Sequence, residues 1–102
     1  MSAKLRVVAS IEARMTSTRL PGKALADING VPALGRVARR LRRVRRLDDI
    51  VLATTGDVAD DVLEEWAEEE GVACFRGSED DVLGRVVEAH RAMNTDIIVE
   101  VG

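Results

Sequence analysis

A chain of 102 residues, 46% apolar and 32% charged, has the size and composition of one globular domain with a usable core. Trp66 and Phe75 are too few aromatics for a base-stacking nucleic-acid module, the lone Cys74 excludes an internal disulfide and a zinc site with only His90 to help, and no apolar run approaches a membrane span. The net charge of -3 conceals a division, since residues 1–46 carry 12 Lys or Arg against Glu12 and Asp27, or +10, and residues 47–102 carry three Arg against 16 acids, or -13. An acidic partner for the first half and two solvated faces are both compatible with that asymmetry. With no leader-like segment, the expectation is a cytoplasmic protein with Cys74 as a small buried hydrophobe.

In chain order, residues 5–11 form the first predicted strand, with Val7, Val8 and Ile11 giving the β-branched run of a buried parallel strand. A loop follows in which Arg14, Arg19 and Lys23 supply cations, Thr16, Ser17 and Thr18 supply hydroxyls, and Pro21-Gly22 turns the backbone. Arg offers oxygen anions a planar fork and Lys a point charge, so this composition fits a phosphate cradle, and equally an ordinary solvated loop. It is not a P-loop, because Ser17 stands where the first Gly belongs and Ala24 follows Lys23, and no Gly-x-Gly-x-x-Gly occurs.

Asn29-Gly30 reads as a turn, and a helix over residues 32–46 places Leu34, Val37, Ala38, Leu41 and Val44 on one face. Its other face holds seven Arg, at 36, 39, 40, 42, 43, 45 and 46, either a solvated surface or a polyanion patch. Residues 49–55 form a second strand. The next helix has Asp57 as N-cap, Asp60 and Asp61 in its solvent-facing acidic first turn, Ala59, Val62, Leu63, Trp66 and Ala67 as its buried stripe, and Gly71 as its stop. A third strand spans 72–75. Ser78 and Asp81 have the spacing of a capping box for a third helix ending near Met93, with Val82, Leu83, Val86 and Met93 inward and His90 packed on the same face. Gly84 in that helix points to a close approach. Residues 96–101 form a fourth strand. One-helix crossovers in a βαβαβαβ chain predict a three-layer, Rossmann-like parallel sheet of order 3-2-1-4 with helices on both faces. The switch point then lies beside the first strand, where α/β folds take ligands, and the Arg14 loop, Thr54 and the 76–78 turn all converge there.

Ala13-Arg14-Met15-Thr16-Ser17-Thr18-Arg19-Leu20-Pro21-Gly22-Lys23 resembles the signature of the cytidylyltransferase family, which includes the acylneuraminate and 3-deoxy-manno-octulosonate cytidylyltransferases and the spore coat polysaccharide biosynthesis protein F group. Residues 29–32, Ala53-Thr54, Asp60-Asp61 and residues 76–85 resemble further motifs of the family, so the likeness covers essentially the whole chain. It implies a nucleotide-diphospho-sugar transferase-like fold, binding of CTP, and transfer of its nucleotidyl group to a sugar hydroxyl with release of pyrophosphate. By the same resemblance Arg14 and Lys23 are the catalytic pair on the triphosphate, Ala13, Ser17 and Arg19 belong to the substrate-binding loop, and Ala53, Thr54, Arg76, Gly77 and Ser78 stand near the nucleoside.

The family's fourth strand continues into Thr-Gly-Asp-x-Pro, whose Asp holds Mg²⁺, whereas this sequence ends at Val101-Gly102. Residues 1–102 are therefore expected to be the nucleotide-binding half, with the sugar- and metal-binding half and the Mg²⁺ ligand elsewhere and the fourth strand left as an edge for a second copy or a partner. Two other functions fit the sequence: a non-catalytic assembly module, and a polyanion- or RNA-binding surface on the Arg-rich helix.

Overall fold

The computed structural model describes residues 5–15, 27–28 and 31–101. In chain order its elements are strand β1 (Val7–Glu12), the two-residue strands β2 (Asp27–Ile28) and β3 (Val31–Pro32), helix α1 (Ala33–Arg42), strand β4 (Asp49–Thr55), a 3-10 turn (Val58–Asp60), helix α2 (Asp61–Glu70), strand β5 (Ala73–Gly77), helix α3 (Val82–Ala92) and strand β6 (Ile97–Val101). β2 and β3 pair antiparallel on either side of residues 29–30, which lie outside the described residues.

The main sheet is parallel throughout, in the order β5-β4-β1-β6, so its four strands stand in the expected 3-2-1-4 order. The pleat sends alternate residues to opposite faces, and each face carries its own core. Ile11, Ile50 and Leu52 meet Leu34 and Ala38 of α1 and Leu63, Trp66 and Ala67 of α2. On the other face Val8, Val51 and Ala53 meet Val86 and Ala89 of α3. The result is three layers with the sheet in the middle.

Side chains fasten the sheet at its amino end. Asp48 accepts the Val7 N–H at 2.8 Å, Asp96 accepts the Arg6 N–H at 2.8 Å, and the Arg6 Nε–H reaches the Met93 carbonyl at 2.7 Å. These bonds tie the entries of β4 and β6 to the entry of β1. At its carboxyl end α2 closes on Gly71, whose φ of 71° lies in the left-handed region where a residue without Cβ is unstrained.

Several boundaries differ from the sequence reading. α1 ends at Arg42 rather than at residue 46, and Val44 is exposed instead of lying on the buried face, because the chain must turn to bring Asp48 to Val7. Asp57 caps the 3-10 turn, its carboxylate accepting the Ala59 N–H, while α2 begins three residues later than that cap implies. Ala59 and Val62 accordingly face solvent, and Asp60, read as a solvent-facing acid, is 0% exposed. In α3 the N-cap is Asp81, which accepts the Gly84 N–H, whereas Ser78 Oγ accepts the N–H groups of Asp80 and Asp81 in the turn before it. A Cβ on Gly84 would strike the Asp81 carboxylate, which accounts for the glycine. Val82 and Leu83 are exposed, and Arg85 and His90 occupy the inner face with Val86 and Ala89. Cys74 is half-buried at the edge of the α1/α2 core, and burial, reinforced by the Glu64 charge, raises its thiol pKa.

Candidate functional site

The carboxyl ends of β1, β4 and β5 lie side by side, and strand register decides which residues meet there. Glu12 stands opposite Ala53, Thr54 opposite Arg76 and Thr55 opposite Gly77. The Ala13 N–H continues the ladder by donating to the Ala53 carbonyl at 3.2 Å. Beyond it Met15 packs its side chain on the α1/α2 core and donates its N–H to Asp60 Oδ1 at 2.6 Å. Arg14 thus sits between two fastened residues. Its own side chain is partly exposed and, among the described residues, has neither a hydrogen bond nor an ion pair. A cation on fixed backbone with its donors unused is ready to take an oxygen anion, and its fork can do so bidentately.

Ser17, Arg19 and Lys23 lie outside the described residues. The Ala53 side chain is fully buried in the α3-side core, and its carbonyl is occupied by Ala13. Thr54 is also fully buried, with a hydroxyl that finds no partner within the described chain. Arg76 is engaged on every side. Its Nε–H donates to the Thr55 carbonyl at 2.7 Å, one terminal nitrogen to Asp61 at 2.7 Å and Glu64 at 3.2 Å, and the other to the Asp57 carbonyl at 2.6 Å. The Asp61 bond raises the already high pKa of this guanidinium, which locks the exit of β4 to the start of α2.

Two charged residues contribute what sequence reasoning did not assign. Arg85 has a fully buried side chain, donating to Glu12 Oε1 at 2.5 Å and to the Ser78 carbonyl at 2.8 Å, so it joins the exit of β1 to the turn after β5. Asp60 accepts the hydroxyl of Thr55 as well as the Met15 N–H. The motif around Arg85 is visible in the sequence, but nothing in it distinguishes an inward arginine from the others. On the rim, the hydrogen bond that a protonated Glu79 can make to Asp57, together with the Asp57 charge, raises the Glu79 pKa. Among the described residues no three His, Cys, Asp or Glu side chains form a metal ligand set.

Comparison with known proteins bears on this site. A family model described as "Cytidylyltransferase" matches residues 8–102. The spore coat polysaccharide biosynthesis protein SpsF of Bacillus subtilis is 38% identical over 93 residues, covering 87% of this chain and 39% of that protein. A cytidylyltransferase from Leptospira borgpetersenii has a TM-score of 0.89 and 39% identity over 96% of this chain and 41% of its own. A CMP:2-keto-3-deoxy-manno-octonic acid synthetase solved in complex with CTP has a TM-score of 0.78 and 28% identity, covering 94% of this chain and 39% of that one. The chain spans about two fifths of the length of these relatives.

Proposed function

The chain belongs to the cytidylyltransferase family, and on that premise we propose that it is the nucleotide-binding half of an enzyme that makes a CMP-sugar for polysaccharide synthesis. In the proposed reaction a sugar hydroxyl oxygen attacks the α-phosphorus of CTP. A P–O bond forms to the sugar, the α–β anhydride bond breaks, the hydroxyl proton passes to solvent or a nearby base, and pyrophosphate leaves. Nucleotidyl transfer asks the protein for alignment and charge neutralisation more than for a nucleophile. Arg14 is the residue that carries this reading, being a cation without a protein partner among the described residues, held at the switch point beside β1.

In this role Arg14 takes the triphosphate oxygens, Lys23 adds a second cation, and Ser17 and Arg19 complete the loop around them. The turn at Gly77 and Ser78 lies toward the nucleoside with Thr54 behind it, while Arg76 acts by holding that rim together rather than by touching the nucleotide. Mg²⁺ remains part of the proposal as companion to the triphosphate, and no step is assigned to it on these residues. A cytoplasmic setting accords with the use of a nucleoside triphosphate, and among the described residues no helix is long and apolar enough to cross a membrane. Calorimetric titration with CTP, ATP and GTP, with and without Mg²⁺, tests the reading. Saturable binding that favours CTP and weakens at least about tenfold in Arg14→Ala supports it. Equal indifference of wild type and variant to all three nucleotides overturns it.

A further inference from the structure

The geometry points to Asp60 as a positioning residue for Arg14, an inference that rests on the nucleotide-binding reading above. Asp60 is 0% exposed. As N-cap of α2 it would ordinarily accept an N–H of its own helix, yet its side chain makes no such bond. One carboxylate oxygen instead accepts the Met15 N–H at 2.6 Å, across 45 residues of sequence, and the other accepts the Thr55 hydroxyl. Thr55 Oγ1 in turn accepts the Asp57 N–H at 3.1 Å, and Arg76 braces the Thr55 and Asp57 carbonyls from the other side.

The carboxylate therefore joins three separate pieces of chain: the residue after Arg14, the last residue of β4 and the first turn of α2. Both immediate neighbours of Arg14 are anchored. Ala13 is held by the sheet and Met15 by Asp60. Loss of this bond leaves the backbone after Arg14 held only by the packing of the Met15 side chain on the α1/α2 core, and a less firmly held cation must lose more freedom on meeting an anion. Asp60 touches neither the ligand nor the reacting atoms and acts through the backbone that it fixes.

The experiment compares Asp60→Ala with Asp60→Asn in the whole chain, reading Met15 amide hydrogen exchange without nucleotide and CTP affinity by calorimetry. Asn retains an oxygen for Met15 and presents an N–H to the Thr55 hydroxyl, which can accept it. Met15 exchange should accelerate at least about tenfold in Asp60→Ala and stay near wild type in Asp60→Asn. CTP affinity should fall about tenfold in Asp60→Ala and recover in Asp60→Asn. Arg14→Ala should cost markedly less affinity in the Asp60→Ala background than in wild type, a coupling that a general loss of stability does not produce. If Asp60→Ala does not fold, Thr55→Val, which removes one of the two supports, carries the same three readings with smaller changes. Faster Met15 exchange together with unchanged CTP affinity and additive Arg14→Ala overturns the inference. A wild type that binds no CTP overturns the nucleotide reading and with it the role, while the exchange data still report whether Asp60 holds Met15.

Discussion

Replacing Arg85 with Met separates the cost of a buried charge from the packing of its stem. The Arg85 side chain is 0% exposed and its partner Glu12 is 27% exposed, so the change removes a guanidinium from a dry site and leaves a carboxylate that water can partly reach. Loss of one partner of a buried pair costs about 3–5 kcal/mol. Hydration of Glu12 reduces that, and Met refills most of the aliphatic volume, whereas the Ser78 carbonyl loses its donor at about 1 kcal/mol. A net loss of about 2–3 kcal/mol is expected. Urea unfolding followed by the fluorescence of Trp66, the sole tryptophan and only 7% exposed, measures it. With a denaturant slope of about 1.5 kcal/mol/M the midpoint falls by about 1.3–2 M. In Arg85→Met/Glu12→Gln part of the loss returns, giving a coupling of about 1–2 kcal/mol. Additive single changes, or an Arg85→Met protein as stable as wild type, would refute the claim that this pair holds the exits of β1 and β5 together.

Burial lowers the pKa of His90, whose Nδ1 lies 2.9 Å from Thr95 Oγ1, against a smaller opposing pull from Glu100. The unfolded chain therefore takes up the proton first as pH falls below about 6.5. Stability is fully present above that value, declines towards the lowered native pKa, and levels below it. His90→Gln should flatten this acid slope in urea midpoints measured across the range. Gly77→Ala should cost about 1–3 kcal/mol in the same assay, because its Cβ would stand 2.9 Å from Phe75 Cε2 and 3.1 Å from Arg85 Cγ. Glu79 has a native pKa raised above 4.5 by Asp57, so its stabilising effect is present at acid pH and lost as pH rises through that raised value. Glu79→Gln should therefore raise the unfolding midpoint at about pH 7 and do so less at about pH 4, and an equal effect at both would count against the bond.

The architecture was legible because it rests on periodicity and crossover handedness, which are local properties. Val8, Ile11, Leu63, Trp66 and Ala67 lie where their spacing puts them. The end of α1 was not legible, since arginine is a good helix former and no Gly or Pro marks the stop at Arg42. Nor was the split between Asp57, Asp60 and Asp61. All three suit the start of a helix, and it is Asp60 that takes the Met15 N–H from 45 residues away together with the Thr55 hydroxyl. At the site, the cation-rich loop announces itself by composition, and Arg14 stands at the switch point as the strand order requires. What holds Arg14 there is a contact distant in sequence, and such contacts leave no periodic trace.

The amino-end fastenings of Asp48 and Asp96 have a consequence for how such a protein can change over evolutionary time. A shift of one residue in strand pairing would turn every core side chain toward the wrong face, and these two carboxylates bond the backbone of β1's entry where such a shift would begin. Because that safeguard sits at the end of the sheet remote from Arg14, loops at the opposite end can lengthen, shorten or exchange residues without disturbing the alignment of the strands. Divergence in the ligand taken is thereby separated from the survival of the fold.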